Sequence, residues 1–112
     1  MEMVSRVSGN ISILELKGRF DAYELKPVQE WFENNTSVSN PKLVINLAGV
    51  HFLDSSALAS LVQGMKRSRD KNGDLHLCNL QQSVRIIFEL TKINRAIDIF
   101  PSELEAVKAF NE

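Results

Sequence analysis

Two short runs of apolar residues interspersed with polar ones lie at the start of the chain. These runs, MVSRV and ISILELKG, are rich in residues that favour β-strands. Ser8, Gly9 and Asn10 lie between them and form a turn cluster of the kind that joins antiparallel strands. The chain therefore begins with a predicted β-hairpin.

After these two runs, the spacing of apolar residues changes to that of an amphipathic helix. Apolar residues share one face of this helix at Leu25, Val28, Trp31 and Phe32. Pro27 fits the first turn, where its missing N–H costs nothing, and the helix is predicted to run to about Asn34. The next run, KLVINLAGV, is apolar enough to be a central strand covered on both faces.

A second helical pattern begins at Ser55. Apolar residues recur at helical spacing at Leu58, Leu61, Val62 and Met65. Asn72 and Gly73 are expected to close the helix, and the run DLHLCNL then alternates as a strand does.

The pattern in the last part of the chain predicts two more helices separated by a strand. The first covers residues 83–92, with Ser83 as its N-cap and apolar positions at Val84, Ile87, Phe88 and Leu90. The run AIDIF follows as a short strand. Ser102 and Glu105 form a capping-box pattern, which predicts a terminal helix with apolar positions at Leu104, Val107 and Phe110.

The predicted order is β-β-α-β-α-β-α-β-α, which indicates the α/β class. Such alternation favours a mixed, mostly parallel β-sheet with helices packed on it. A chain of 112 residues is the size of one domain, so residues 1–112 are predicted to form a single domain.

Composition and charge limit the range of possible functions. The formal net charge is -1, with 13 basic and 14 acidic residues, so we expect no basic surface that would bind nucleic acid. The N-terminus lacks a signal pattern, and no apolar run approaches the roughly 20 residues that a membrane span needs. We expect a cytoplasmic protein that does not insert into the membrane.

The residues that commonly bind metals give no recognisable motif. Cys78 is the only cysteine and lies in a strand-like run, so we expect a small core residue in a reducing compartment. His51 and His76 lack the spacing of a metal site. The sequence therefore predicts neither a metal nor a cofactor.

The polar stretch DSS separates the central strand from the second helix. Asp54 is the expected N-cap, which places Ser55 and Ser56 in the first turn beside unpaired N–H groups. A phosphate on Ser55 would bring about -1.5 to -2 charges to the positive end of the helix dipole. Asp54 and Asp21 already make this surface acidic, so added charge would repel a docked partner. The alternative is that the stretch only caps the helix.

A hydrolase would need Ser55 as its nucleophile, with His51 as the first base to test. The stretch LDSSA lacks the Gly-x-Ser-x-Gly elbow, and no third member of a triad is evident. The chain also lacks a glycine-rich phosphate loop. We therefore predict no catalytic residues and no enzymatic activity.

Four segments in order resemble the STAS domain of bacterial anti-sigma factor antagonists, from about Val7 to Val107. They are KGRFDAY, KLVINLAGVHFLDSSALASLV, GDLHLCNLQQSVRIIFELTKINRAIDIF and ELEAV. The resemblance implies the STAS fold and a partner-switching signal protein. In that family the serine after the motif aspartate is phosphorylated by an anti-sigma factor that is also a serine kinase. A PP2C-type phosphatase reverses the reaction.

The matching phosphorylation residue here is Ser55. The resemblance implies that the unphosphorylated protein binds the anti-sigma factor, and that phosphorylation releases it. It also places Asp54 beside the phosphosite and Asp21 near it at the kinase interface, with Ser56 as a structural first-turn serine. The predicted partner-binding residues are therefore Asp21, Asp54, Ser55 and Ser56.

Two positions depart from the family pattern, because Ala57 and Ala59 replace glycines. Alanine favours the helix by about 0.8 to 1.0 kcal/mol per replacement. Both methyl groups are expected on the surface that a partner approaches. The alternative function is a STAS protein-interaction subunit of another system, such as a lipid-transport ABC complex or a signalling pathway without a sigma factor.

Overall fold

The computed structural model describes residues 1–111, and the predicted order of strands and helices is confirmed. The elements are β1 (Glu2–Ser8), β2 (Ile11–Phe20), α1 (Leu25–Asn35), β3 (Lys42–Leu53), α2 (Ser55–Asp70), β4 (Asp74–Cys78), α3 (Gln82–Leu90), β5 (Asp98–Phe100) and α4 (Glu103–Lys108). Short 3-10 turns lie at Ala22–Glu24, Ile93–Arg95 and Ala109–Asn111. Each helix of residues 1–111 is too short or too polar to cross a membrane.

The strands form one mixed sheet in the order β1-β2-β3-β4-β5. The predicted hairpin is present, because β1 and β2 pair antiparallel from Ser8 opposite Ile11. Gly9 makes the tight turn possible with a φ of 62°. The remaining neighbours pair in parallel. The carboxyl ends of β2, β3, β4 and β5 therefore meet at one edge of the sheet, which we call the carboxyl edge.

Helices α1, α2 and α3 cover one face of the sheet and form the main core with it. The fully buried side chains of this core include Phe20, Leu47, Leu61 and Phe88. Helices α1 and α2 pack so closely that a Cβ added at Gly64 would lie 2.2 Å from Phe32 Cε1. This glycine sets the distance between the two helices.

Helix α4 covers part of the opposite face, where Ala106 packs with Ile13, Val44 and Cys78. Cys78 is fully buried, as predicted, and burial raises the pKa of its thiol to about 12. The thiol therefore stays protonated at neutral pH.

An ion pair fixes the start of α4 to the edge strand β1. Arg6 Nη2 donates to Glu103 Oε2 at 2.6 Å and to Glu15 Oε1 at 2.9 Å. The hydrogen bond from Arg6 holds the pKa of Glu103 below its ordinary value of 4.5. Ser102 caps α4 by accepting from Glu105 N at 3.2 Å, which confirms the predicted start of this helix.

Three local predictions were wrong. Ser83 is not the cap of α3, because the helix begins at Gln82 and the Ser83 hydroxyl donates to the His51 carbonyl at 3.2 Å. Leu90 and Leu104 are 78% and 63% exposed. Each lies two positions from a buried residue of its helix, Phe88 or Ala106, and two positions turn a helix by about 200°.

Candidate functional site

The loops that follow β2 and β3 meet at the carboxyl edge. Phe20 and Leu53, at the ends of these strands, are partners in the parallel register. Just beyond them, Asp54 N donates to Phe20 O at 3.3 Å. This pairing brings the stretch GRFDAY next to the stretch LDSSA, although they are distant in sequence.

The Asp54 carboxylate connects these two stretches. Its Oδ1 accepts from Ala57 N at 2.9 Å, which confirms Asp54 as the N-cap of α2. Its Oδ2 accepts from Ala22 N at 3.0 Å in the loop after β2. The same side chain therefore fixes both the start of the helix and the neighbouring loop. No local pattern indicates the bond to Ala22, although adjacent parallel strands would have placed the two loops together.

Asp21 organises the loop after β2. Its Oδ1 accepts from Tyr23 N at 3.1 Å, and its Oδ2 lies 3.6 Å from Arg19 Nε. The Arg19 guanidinium lies 4.0 Å from the centre of the Phe52 ring, in a cation–π contact. Tyr23 is 95% exposed and was not among the predicted site residues. Its only signal in the sequence is its place two residues after the loop aspartate.

The two predicted site serines differ in exposure. Ser55 is the first residue of α2 and is exposed, whereas Ser56 is half-buried. Both lie beside the first N–H groups of the helix, which have no partner within the helix itself. The structure thus brings all four predicted residues to the carboxyl edge. Of the two hydroxyls, that of Ser55 is the more accessible.

The expectation for the two alanines was wrong for one of them. Ala57 is fully buried in the main core, while Ala59 is exposed. The two positions face different ways because they are about 200° apart around the helix. Only Ala59 adds a methyl group to the surface of the first turns.

His51 lies where β3 bulges at the carboxyl edge. Its neighbours Val50 and Phe52 pair with the consecutive residues Gly18 and Arg19, so His51 is the extra residue. The His51 ring is exposed, and its carbonyl accepts from Ser83. Among the hydrogen bonds of residues 1–111, none joins the His51 ring to Ser55. Ser55 and His51 are therefore not hydrogen-bonded to each other as a nucleophile and its base in this structure.

Comparison with known proteins identifies similar sequences and folds. The STAS domain family matches residues 2–106. An "Anti-sigma-B factor antagonist" of Listeria monocytogenes is 29% identical over 99 residues, which cover 88% of this chain and 86% of that protein.

Two solved structures share the fold. An anti-sigma factor antagonist from Mycobacterium paratuberculosis has a TM-score of 0.88 at 20% identity, over 99% of this chain and 94% of that one. The Bacillus cell fate determinant SpoIIAA in its phosphorylated form has a TM-score of 0.74 at 17% identity, over 97% of this chain and 99% of that one.

Proposed function

This chain belongs to the STAS domain family, and from that membership we propose that it is an anti-sigma factor antagonist that switches partners through phosphorylation of Ser55. The name of the Listeria relative supports the antagonist function. The similarity to SpoIIAA, which was also solved in a phosphorylated form, supports a role for phosphate.

The observation that carries the proposal is the exposed Ser55 hydroxyl beside a fixed carboxylate. Both oxygens of Asp54 accept backbone hydrogen bonds, at 2.9 and 3.0 Å, so the start of α2 is held in place. A kinase could therefore reach Ser55 without unfolding the helix. The same rigid surface would present Asp21 and Ser56 to a partner.

Phosphorylation would change the charge of this surface and leave the fold intact. A phosphate carries about -1.5 to -2 charges, which the positive end of the α2 dipole tolerates. Asp54 and Asp21 are acidic neighbours on the same edge. A partner that docks there would meet increased negative charge and would have to desolvate the phosphate. Binding would be lost while the protein stays folded.

The proposed partners follow from this cycle. In the unphosphorylated state the protein binds an anti-sigma factor that is also a serine kinase, and this frees the sigma factor. The kinase transfers the γ-phosphoryl group of ATP to Ser55 Oγ, with release of ADP and the hydroxyl proton. A PP2C-type phosphatase hydrolyses the phosphoserine and restores binding. The STAS protein itself acts as a binding protein in this scheme.

The first test is peptide mass spectrometry of the protein purified from its native cells under several growth and stress conditions. Phosphate on Ser55 is the expected result. Phosphate on Ser56 alone would contradict the choice of residue. Absence of phosphate under all conditions would favour a constitutive binding subunit, such as that of a lipid-transport complex.

The second test measures binding to the anti-sigma factors encoded in the same genome. Ser55→Asp should weaken binding by about 2 to 5 kcal/mol if the serine lies in a desolvated contact. Ser55→Ala should retain binding and lose phosphate incorporation, and Ser56→Ala serves as the matched control. Tight binding by Ser55→Asp would contradict the electrostatic switch.

A further inference from the structure

A second polar cluster lies on the opposite face of the sheet, toward the amino ends of β4 and β5. It consists of Asp74, His76 and Asp98, whose ligand atoms all lie within 4.8 Å of one another. His76 and Asp98 are brought together because they are register partners on neighbouring strands. His76 Nε2 lies 3.9 Å from Asp74 Oδ2 and 3.9 Å from Asp98 Oδ2.

The His76 ring is held in one orientation. Its side chain is only 6% exposed, and its ring stacks on that of Phe110 at a centroid distance of 3.8 Å. His76 Nδ1 lies 2.8 Å from the carbonyl oxygen of Ala106. A carbonyl oxygen can only accept, so Nδ1 carries a proton and donates it. The other ring nitrogen, Nε2, then faces the two aspartates.

This arrangement leaves Nε2 without a suitable protein partner. At 3.9 Å, neither the Asp74 nor the Asp98 carboxylate is close enough to Nε2 for a hydrogen bond. No hydrogen bond to Nε2 is found among residues 1–111. Three electron-pair donors therefore converge on one point from a nearly buried histidine and two carboxylates. A cation at that point would satisfy all three.

We propose that Asp74, His76 and Asp98 bind a divalent transition-metal ion such as Zn²⁺. The ligands would be His76 Nε2, Asp74 Oδ2 and Asp98 Oδ2, with water completing the coordination. Zinc bonds of about 2.0 to 2.2 Å in a tetrahedral site place the ligand atoms roughly 3.4 Å apart. The two distances of 3.9 Å from Nε2 therefore require about 0.5 Å of closure, and the two carboxylate oxygens, which lie within 4.8 Å of each other, must also approach. The Asp98 side chain is 59% exposed and is free to make that movement.

The surroundings support a metal with both nitrogen and oxygen ligands. A metal-binding histidine is commonly oriented by a backbone carbonyl that accepts a hydrogen bond from its other ring nitrogen. The carbonyl oxygen of Ala106 accepts in this way from His76 Nδ1. Asp74 Oδ1 accepts from Arg69 Nε at 3.0 Å and from Leu75 N at 2.8 Å. These bonds fix the carboxylate and leave Oδ2 directed at the cluster. The charge of Arg69 lowers the affinity without blocking the site.

Imidazole nitrogen also narrows the choice of metal. Calcium and magnesium prefer sites made entirely of oxygen, whereas zinc accepts imidazole together with carboxylate. The site is separate from Ser55, because it lies under α4 on the other face of the sheet. Its metal binding can therefore be tested independently of phosphorylation.

The experiment is calorimetric titration of the tag-free protein with Zn²⁺ in a non-chelating buffer. One ion per chain is expected. Asp98→Asn is the decisive variant because its exposed side chain should not affect folding, and it should weaken binding at least tenfold. His76→Gln should do the same. His51→Gln is the matched control, because it removes the other histidine of the chain, and it should bind as the unmodified protein does.

A second measurement identifies the coordinating atom. The ¹⁵N chemical shift of His76 Nε2 should change on addition of Zn²⁺, while the shifts of His51 should not. Failure of the unmodified protein to bind Zn²⁺ would overturn the proposal, as would unchanged binding by Asp98→Asn. Loss of binding in Cys78→Ser together with retained binding in Asp98→Asn would instead assign the ion to the thiol.

Discussion

The first and last turns of α2 contain the same residue type in opposite environments. Ser55 begins the helix and is exposed. Ser68 is 0% exposed, and its hydroxyl donates to Gly64 O at 2.8 Å. Ser60 is also buried and donates to Ala57 O at 2.7 Å. The contrast shows that the position of a serine relative to the core decides whether its side chain is exposed.

The largest expected effect comes from placing a charge at the buried serine of the last turn. Ser68→Asp should destabilise the protein by about 3 to 5 kcal/mol, because the carboxylate would be buried without a partner. Urea denaturation monitored by circular dichroism measures the loss. Ser68→Ala is the control and should cost about 1 kcal/mol for the lost hydrogen bond. Equal stabilities of Ser68→Asp and Ser55→Asp would contradict the comparison.

Gly64→Ala tests the close contact between α1 and α2. The new Cβ would lie 2.2 Å from Phe32 Cε1, so we expect a net loss of about 1 to 3 kcal/mol in the free energy of unfolding. Alanine favours an unstrained helix by about 1 kcal/mol, so the clash must exceed that gain. The exposed Ala59→Gly is the matched control and should lose about 0.8 to 1.0 kcal/mol through helix propensity alone. A stabilised Gly64→Ala would show that Phe32 can move aside.

Asp54→Ala tests the structural role of the first turn. It removes the helix cap and the bond to Ala22, so the free energy of unfolding should fall by about 1 to 2 kcal/mol. Asp54→Asn keeps an acceptor oxygen for the cap and should lose less. Thermal denaturation compares the two variants. Identical stability of Asp54→Ala and the unmodified protein would show that water replaces both hydrogen bonds.

Ser55→Asp should have the smallest effect on stability. The side chain is exposed at the positive end of the helix dipole, so the free energy of unfolding should change by less than about 0.5 kcal/mol. Urea denaturation at low salt measures the free energy of unfolding of Ser55→Asp, and Ser68→Asp is measured in parallel. A strongly destabilised Ser55→Asp would mean that any loss of partner binding reflects unfolding.

Much of the fold could be predicted from local sequence patterns. The period of apolar residues indicated the order of all strands and helices, because each element must direct its apolar side toward the core. The caps Asp54 and Ser102 were recognisable because a side chain bonds to a backbone N–H only three residues away. Burial of Cys78 followed from its place in a strand-like run.

The errors arose where distant contacts compete with local ones. Ser83 resembles a helix cap, but its hydroxyl donates to the His51 carbonyl across the carboxyl edge. Ala57 was expected on the partner surface, but it lies on the side of α2 that faces the core. The contact of Ser83 cannot be read from the neighbouring residues, whereas the helical spacing of Ala57 with Leu61 and Met65 was a local signal for its burial.

Local sequence patterns were enough to predict the types of element, their order and an aspartate-capped helix that begins with Ser55, because these features depend on interactions within a few residues. The bond from Ala22 to Asp54 and the place of Asp98 beside His76 became evident in the folded molecule alone. Both contacts depend on which strands are neighbours and in what register they pair, and packing of the whole sheet makes that choice.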